Sequence, residues 1–161
     1  MSISLIAALD NASAIGKDGK MPWHLPDDLR HFKELTLGKC VLMGYRTAVA
    51  IGKTLPDRQN LVLTRRHEAP FEGQVTVRSL PEAQAIAGGT GLMVIGGGEV
   101  YRETLPFAQR MYLTWVDTNV DGADVFFPNV HFREWVEMSR VHHARDAEHE
   151  FAFDMVSYVR E

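Results

Sequence analysis

Residues 92–101 read LMVIGGGEVY. An apolar run of strand length ends there in Gly96, Gly97 and Gly98, and a helical pattern follows from about Glu99, so the spacing predicts a strand, a glycine turn and a helix. Ligands of open α/β sheets bind beyond the carboxyl ends of the strands, and glycines let a phosphate or a ring reach bare backbone there. The stretch lacks the G-x-G-x-x-G spacing of a Rossmann site, so a simple tight turn is the alternative.

Strand and helix alternate in the same way along the rest of the chain. Further strand-like stretches are ISLIAAL, KCVLM, NLVLT, QVTV, RMYLTWV, REWVEMSRV and FAFDMVSYV, and the other helical patterns are DDLRHFKEL, RTAVAI and LPEAQAIA. We therefore predict an α/β fold, a single domain over residues 1–161 with a mostly parallel eight-stranded sheet and helices on both faces. The polar link ARDAEHE predicts that the last two strands form a hairpin, with an antiparallel C-terminal strand.

Composition restricts the class of protein. The 161 residues are 45% hydrophobic and 24% charged, with a net charge of −4. These values are typical of a globular protein and give no general attraction to nucleic acid or to an anionic membrane. The single cysteine, Cys40, lies in the apolar run CVLM and is interpreted as a reduced core residue. With no apolar run of about 18 residues, we expect a soluble cytoplasmic protein that binds neither nucleic acid nor membrane.

An aspartate occupies an unexpected place in MPWHLPDDLRHFKEL, residues 21–35. For a helix that begins near Pro26, Asp28 falls between Phe32 and Leu35, inside the apolar face. One interpretation is that the helix begins later than Pro26 and that Asp28 is merely a first-turn acid stabilised by the helix dipole. The other is a buried carboxylate that binds a planar amidine-like edge through two parallel N–H bonds.

The segment Asp10–Leu25, which precedes this helix, is the one long irregular stretch of the chain. A connection of that length without a pattern of its own is usually a functional loop or lid. We therefore predict that it borders the site around Asp28.

A second potential anion site is CVLMGYRT, where a strand ends at Gly44 and a short helix opens with Arg46 and Thr47. Backbone N–H groups, a hydroxyl and a guanidinium would meet a phosphate there. The GKT that follows resembles the end of a P-loop, but Thr47 replaces the first glycine of that motif. We reject the P-loop and interpret Gly52 as a helix C-terminal glycine.

Thr64, Arg65 and Arg66 follow the next strand. Two adjacent arginines at a strand end suit a ribose 2′-phosphate. A solvated turn is equally compatible with the sequence.

Three histidines, His142, His143 and His149, flank the predicted C-terminal hairpin. They share no spacing typical of metal ligands. We interpret them as solvated polar residues and predict no metal site.

The sequence resembles the bacterial, chromosomal-type dihydrofolate reductase family in ISLIAAL, IGKDGKMPWHLPDDLRHFKELT, VLMGYRT, IGKTLPDRQNLVLT, MVIGGGEVY, YLT and DVFFP. The resemblance covers almost the whole chain, and PWxLPxDLxxF and VIGGGxVY are highly specific to that family. It implies that NADPH delivers a hydride to the pterin ring of dihydrofolate, giving tetrahydrofolate. It also implies a monomer that binds antifolate inhibitors.

The resemblance assigns catalytic roles. Asp28 would bind the amino-pyrimidine edge of the pterin and favour protonation of the neighbouring ring nitrogen. Thr114 would support its carboxylate, and Trp23 would hold an ordered water. Tyr101 would lie by the nicotinamide, over which the loop Asp10–Leu25 would close.

The resemblance also implies two sets of binding residues. The substrate would contact Ile6, Ala7, Ala8, Leu29, Phe32, Ile51, Leu55, Ile95 and Thr114, with Arg58 on the α-carboxylate of its glutamate tail. The cofactor would contact Ala8, Ile15, Gly16, Met21, Gly44, Arg46, Thr47, Leu63, Thr64, Arg65, Arg66, Ile95, Gly96, Gly97, Gly98, Glu99, Val100 and Tyr101. Relatives often carry a basic residue at Tyr45, and some carry arginine at Glu99, so phosphate binding here would depend more on Arg46 and Arg65.

Two competing interpretations are a related reductase of ribosylated pyrimidines in flavin synthesis and a protein that binds NADPH or folate without turnover. PWxLPxDL and Arg58 disfavour the first, because they would serve the pterin and its tail. The pair Asp28 and Thr114 disfavours the second.

Overall fold

The computed structural model describes residues 2–161, with ten strands and four α-helices in that range. The strands are β1 Ile3–Leu9, β2 Ala14–Gly16, β3 Cys40–Gly44, β4 Gln59–Leu63, β5 Gln74–Val77, β6 Leu92–Gly96, β7 Arg110–Val116, β8 Val125–Phe126, β9 Trp135–His143 and β10 Phe153–Arg160. The helices are α1 Pro26–Thr36, α2 Tyr45–Ile51, α3 Leu80–Ala87 and α4 Gly98–Thr104. None of the helices in residues 2–161 combines the length and the apolar character needed to cross a membrane.

Eight strands form one sheet in the order β5-β4-β3-β6-β1-β7-β10-β9. The neighbours from β5 to β7 pair in parallel, and β10 runs antiparallel to both β7 and β9. The predicted α/β fold, with its mostly parallel sheet and antiparallel C-terminal strand, is confirmed. All four helical patterns also form helices, and Gly52 ends α2 with a φ of 83°, as predicted.

Side chains of each strand alternate between the two faces of the sheet. Leu42 of β3 packs in the cluster that contains Ala83 of α3 and Val100 of α4. Its neighbour Val41 packs in a second cluster, with Ala48 of α2. Because helices cover both faces, the central strands β3 and β6 are apolar along their length, which explains their uninterrupted runs in the sequence.

Cys40 opens β3 and is a free, buried thiol. Burial raises the pKa of this thiol to about 11, because the thiolate would be poorly solvated there. The interpretation of Cys40 as a core residue is confirmed.

The segment Asp10–Leu25 has more structure than the sequence predicts. Ala14–Gly16 forms β2, which pairs antiparallel with β8 in a separate two-stranded sheet, and Lys17 forms a bridge with Lys20. The prediction of an irregular stretch without a pattern of its own is therefore wrong in part. Strands this short carry too few residues to show a period of two.

Asp10 fixes the base of this loop. The side chain is 1% exposed, and its Oδ1 accepts hydrogen bonds from the N–H groups of Ala12 and Ala14, each at 2.8 Å. Its Oδ2 accepts a third from the N–H of Val120, also at 2.8 Å. One carboxylate thus joins the loop before α1 to the connection between β7 and β8.

We expect Asp10→Ala to lower the free energy of unfolding by about 3 kcal/mol, because three N–H groups lose their acceptor. Denaturant unfolding followed by fluorescence measures the change. Asp121→Ala removes an exposed carboxylate from the β7–β8 connection and should change stability by about 0.5 kcal/mol or less. Equal losses for the two variants would contradict the assigned role of Asp10.

Candidate active site

Asp28 lies in the first turn of α1 and faces the sheet. Its Oδ1 accepts a hydrogen bond of 2.6 Å from the hydroxyl of Thr114, which is buried on β7. Burial raises the pKa of Asp28 and outweighs the Thr114 hydrogen bond and the charge of His31, which both lower it. Because α1 begins at Pro26 and no later, the structure agrees with the interpretation of a carboxylate withdrawn from solvent, and the ligand of that carboxylate stays a prediction.

A cavity of about 120 Å³ adjoins this carboxylate, lined by Met21, Trp23, His24, Leu25, Asp28 and Leu29. Trp23 is 8% exposed, and its Nε1 is buried without an acceptor among the described residues. The indole N–H is thus a free donor beside the carboxylate. The sequence patterns did not single out His24, since an exposed histidine in a loop carries no periodic signal.

Most of the predicted substrate walls lie together on the face of the sheet that α1 and α2 cover. One cluster holds Ile6, Phe32, Ile51, Leu55 and Ile95. Leu29 is 46% exposed, because it borders the cavity rather than the core. Two of the predicted alanines lie elsewhere: Ala8 packs near Trp23, and the side chain of Ala7 packs on the opposite face, in the cluster of Tyr101.

Arg58 lies near the carboxyl end of α1, in the connection between α2 and β4. Its Nε donates to the Pro56 carbonyl at 2.8 Å and its Nη1 to the Thr36 hydroxyl at 3.0 Å. Burial lowers the pKa of Arg58 and the charge of Asp57 raises it, with burial the larger effect. The guanidinium is therefore held in one orientation before any ligand binds.

Asn60, which sequence reasoning missed, fixes this connection from within the core. It is 1% exposed. Its Oδ1 accepts from the N–H of Leu55 at 2.9 Å, and its Nδ2 donates to the carbonyls of Leu55 and Arg58 at 2.9 and 3.0 Å. The LPDRQN segment contains the signal, because a buried asparagine near the start of a strand needs hydrogen-bond partners.

The glycine turns after β3 and β6 lie side by side. A Cβ at Gly44 would approach Val100 to 3.2 Å, and one at Gly97 would lie 3.2 Å from the hydroxyl oxygen of Thr47. Neither α2 nor α4 has a side-chain cap at its first residues. The two predicted anion sites therefore form one region, with Arg46 exposed at its rim.

The small sheet of β2 and β8 packs on this region. A Cβ at Gly98 would lie 3.1 Å from the side chain of Val125 and 3.3 Å from the carbonyl oxygen of Phe126. Ile15 and Gly16 lie on β2, beside β8. These two predicted cofactor residues are thus brought to the turn after β6.

Tyr101, predicted to lie by the nicotinamide, is buried under the turn. Its hydroxyl donates to the Ile6 carbonyl, and its ring lies against Gly96. Burial raises the pKa of the phenol. Because its only proton is committed to the backbone, Tyr101 can position the turn but has no proton free for chemistry in this arrangement.

Thr64, Arg65 and Arg66 follow Leu63 at the end of β4 and remain accessible. The guanidinium of Arg66 lies 4.2 Å from the ring centre of Tyr45, so the tyrosine at this position supports an arginine. Arg78, which sequence reasoning missed, donates to the carbonyls of Thr64 and Arg66 at 2.6 and 2.7 Å. It holds the turn in place from the end of β5.

The histidine prediction is wrong in two places. His142 is exposed as expected, but His149 is 1% exposed and His143 is half-buried. Both contact Asp27. Asp27 and two histidines that follow it by 116 and 122 residues thus form one polar cluster, which a search for local spacing cannot detect.

A larger cavity of about 510 Å³ lies across β7, β9 and β10, with Trp115, Phe132, Arg140 and Tyr158 among its lining residues. None of the predicted catalytic or binding residues lines it. The candidate active site is therefore the smaller cavity at Asp28 together with the glycine region.

This combination defines a class of protein. A parallel α/β sheet carries adjacent glycine turns with arginines at the carboxyl ends of its strands, as expected for a site that binds phosphate groups. A withdrawn carboxylate lies in a cavity beside α1. These features fit the class of α/β proteins that bind a phosphorylated ligand next to a ring with N–H donors.

Comparison with known proteins identifies the family. A family model described as "Dihydrofolate reductase" matches residues 2–160, and the chain belongs to the dihydrofolate reductase family. It is 45% identical to dihydrofolate reductase type 3 of Salmonella typhimurium, over 100% of this chain and 99% of that protein. It is 44% identical to the dihydrofolate reductase of Haemophilus influenzae, over 84% of each chain.

A solved structure gives the same result for the fold. Dihydrofolate reductase from Enterococcus faecalis, complexed with NADP(H) and RAB-propyl, superposes with a TM-score of 0.91 at 32% identity. The match covers 99% of this chain and 96% of that chain. Family and fold therefore agree.

The pKa of Asp28 predicts how stability depends on pH. In the folded protein the pKa of Asp28 lies above its ordinary value of 3.8. Protonated Asp28 therefore contributes its full stabilisation below pH 3.8, and this contribution is lost as the pH rises through the folded-state pKa. Asp28→Asn carries no such charge, so we expect the variant to be more stable than the wild type at neutral pH. The difference should vanish in acid. Denaturant unfolding across this pH range measures it.

Asp121→Asn supplies the matched control, because Asp121 is exposed. The free energy of unfolding of this variant should differ little from that of the wild type at every pH. An Asp28→Asn variant that is less stable than the wild type at neutral pH would contradict the burial of a charged carboxylate.

Proposed function

We propose that this chain reduces 7,8-dihydrofolate to 5,6,7,8-tetrahydrofolate with NADPH, and that Asp28 is the residue that binds and orients the pterin. The reaction is that of the family to which residues 2–160 belong. The observation that carries the role of Asp28 is its withdrawn carboxylate, hydrogen-bonded to Thr114 beside a cavity. Tetrahydrofolate formed in this way supports one-carbon metabolism.

The Asp28 carboxylate can bind an amino-pyrimidine edge because it has more lone pairs than the single one that accepts the Thr114 hydroxyl. Thr114 occupies one lone pair of Oδ1, which leaves acceptor capacity on both oxygens for two parallel N–H bonds. The raised pKa of Asp28 lets this carboxyl hold a proton closer to neutral pH than an ordinary aspartate does. The free indole N–H of Trp23 provides a donor for a water beside it.

The walls of the site orient the substrate. Ile6, Phe32 and Ile51 lie in one apolar cluster on the face next to α1, which suits the flat pterin and benzoyl groups. Arg58 lies at the other end of α1, where the Thr36 hydroxyl and the Pro56 carbonyl hold its guanidinium. A carboxylate of the glutamate tail would pair with it.

The donors at the carboxyl edge of the sheet fit the phosphates of NADPH. Gly97 and Gly98 lie in the turn after β6, with Gly97 against Thr47, and Arg46 lies in the first turn of α2. These residues would hold the pyrophosphate. When bound, NADPH supplies the hydride. Arg65 and Arg66, with Thr64, would hold the 2′-phosphate and give a preference for NADPH over NADH.

We further propose a monomer in a single domain over residues 1–161, located in the cytoplasm and sensitive to antifolates. The free, buried thiol of Cys40 supports the location, because it fits a reducing compartment. Antifolates with a diaminopyrimidine edge would use the same acceptors on Asp28.

We expect Asp28→Asn to keep the fold and NADPH binding and to lower turnover near neutral pH by about 100-fold or more. An amide carries no charge, and because only one of its two terminal atoms is an acceptor, it cannot take two parallel N–H bonds. NADPH oxidation with dihydrofolate present, followed spectrophotometrically, measures turnover. Glu34→Gln, on the exposed side of the same helix, should retain full activity. Turnover of Asp28→Asn at the level of Glu34→Gln would rule out the assigned role.

Arg58→Leu should raise the KM for dihydrofolate by about tenfold or more while leaving the KM for a pterin without a glutamate tail unchanged. The physical reason is the loss of one charged pair that only the tailed substrate makes. Lys53→Leu removes a nearby exposed cation and should affect neither substrate. If Arg58→Leu weakens both substrates equally, the tail assignment is wrong.

A further inference from the structure

The first turn of α1 receives its cap from a distant part of the chain. Leu25 occupies the N-cap position and has no side-chain acceptor, so the helix lacks a local cap. The N–H of Asp27 instead donates to Nε2 of His149, 122 residues further along, at 3.1 Å. His149 lies in the link between β9 and β10 and is 1% exposed.

The hydrogen bonds of His149 fix its protonation state. Its Nε2 accepts, so that nitrogen carries no proton, and its Nδ1–H donates to Oδ1 of Asp146 at 2.8 Å. The ring is therefore neutral. The same Asp146 oxygen accepts the N–H groups of Glu148 and His149, which holds the link in a tight turn.

The neighbouring His143 is in the opposite state. Its Nδ1 lies 2.8 Å from the Ala144 carbonyl and its Nε2 lies 2.7 Å from Oδ2 of Asp27. Both partners only accept, so both ring nitrogens carry protons and the ring is an imidazolium. Burial lowers the pKa of His143, but the hydrogen bonds to Ala144 and Asp27 outweigh it and raise the net value.

The charged groups around the two rings are consistent with a charged His143 and a neutral His149. The other oxygen of Asp27 accepts from Arg30 at 2.9 Å, and Asp146 Oδ2 lies 3.7 Å from Nε2 of His143. The two imidazole rings are 4.4 Å apart, so one charged and one neutral ring avoid mutual repulsion. Every polar group of the cluster thereby has a partner of the correct kind.

A metal ion would need the same atoms in a different arrangement. One ligand atom each from Asp27, His143 and His149 lies within 4.8 Å of the others. However, Nε2 of His143 and Oδ2 of Asp27 are at hydrogen-bond distance, while Nε2 of His149 is 4.0 Å from the same oxygen and accepts a backbone N–H. The hydrogen-bonded cluster accounts for all these contacts without an ion.

The cluster is attached to the same strands as the partner of Asp28. Thr114 on β7 pairs with Met155 on β10. Two residues before Met155, the ring of Phe153 stacks on His143, with centres 4.6 Å apart and planes at 9°. The start of α1 is therefore held to β7 through Asp28 and to the β9–β10 hairpin through Asp27.

From this geometry we infer that His149 and His143 are positioning residues for the pterin-binding carboxylate. His149 caps α1 and His143 clamps Asp27, and together they keep the next residue, Asp28, aligned with Thr114 and with the substrate. The inference rests on the proposed function of Asp28. It places two histidines of the C-terminal hairpin in the support of the active site.

The first experiment compares His149→Leu, His149→Gln and a control, His142→Leu. Leucine removes the cap, whereas the glutamine carbonyl can still accept the N–H of Asp27. His142 is the adjacent, exposed histidine and bonds to Asp154 instead.

We expect His149→Leu to lower kcat about tenfold, with the dissociation constant of NADPH within about twofold of the wild type. His149→Gln should recover most of kcat, and His142→Leu should match the wild type.

The second readout is the titration of the Asp28 carboxyl by NMR, which needs no turnover. In His149→Leu the pKa of Asp28 should move towards its ordinary value, because the loosened helix lets water reach the carboxylate. The pKa of Asp28 should remain at the wild-type value in His142→Leu and His149→Gln. If the wild type had no reductase activity, the proposed function would be wrong. The titration of Asp28 would still test the positioning role of His149.

Imidazole NMR of the wild type tests the cluster itself, even if a variant fails to fold. From the hydrogen bonds, His143 should carry a proton on both ring nitrogens and His149 on Nδ1 alone. A His149 ring protonated on Nε2, or an unchanged kcat and unchanged Asp28 titration in His149→Leu, would overturn the inference. The inference would also be overturned if EDTA abolished the activity and Zn²⁺ restored it, because that result would make the cluster a metal site.

Discussion

The hydrogen bond from the Thr114 hydroxyl to the Asp28 carboxylate is the interaction on which the site depends. It joins residues 86 positions apart in the sequence, one in the first turn of α1 and the other on β7. Withdrawal from water destabilises the carboxylate, and this bond offsets part of that cost. Without Thr114, the pKa of Asp28 would rise further, because one of the two effects that lower it would be lost.

The other half of the site follows from the direction of the strands. Because β3 and β6 are parallel neighbours, their carboxyl ends lie at one edge and the glycine turns that follow meet there. A Cβ at Gly97 would lie 3.2 Å from the hydroxyl oxygen of Thr47, so a larger residue there would require that hydroxyl to shift. A parallel sheet thus concentrates bare backbone and short helices at one edge, while α1 brings the acidic group to the adjoining cavity.

Much of this architecture was predictable from the sequence, for identifiable reasons. Runs such as LMVIG must be buried on both sides, and the residues of α1 follow a helical period, so both kinds of element carry a strong local signal. Strands β2 and β8 have three and two residues and exist only through their pairing, which no local pattern encodes. The burial of His149 was unpredictable for the same reason, because its partner Asp27 precedes it by 122 residues. Arg78 supports the turn after β4 through backbone carbonyls, which leave no trace in residue type.

The position of Cys40 has a practical consequence for labelling chemistry. With a pKa of about 11, about one thiol in ten thousand is ionised at pH 7, and the sheet shields even that fraction from reagents. Maleimides and other electrophiles therefore find no reactive sulfur on the native chain. A cysteine introduced at any surface position would be the sole point of attachment for a fluorophore or a spin probe, without prior removal of the native one.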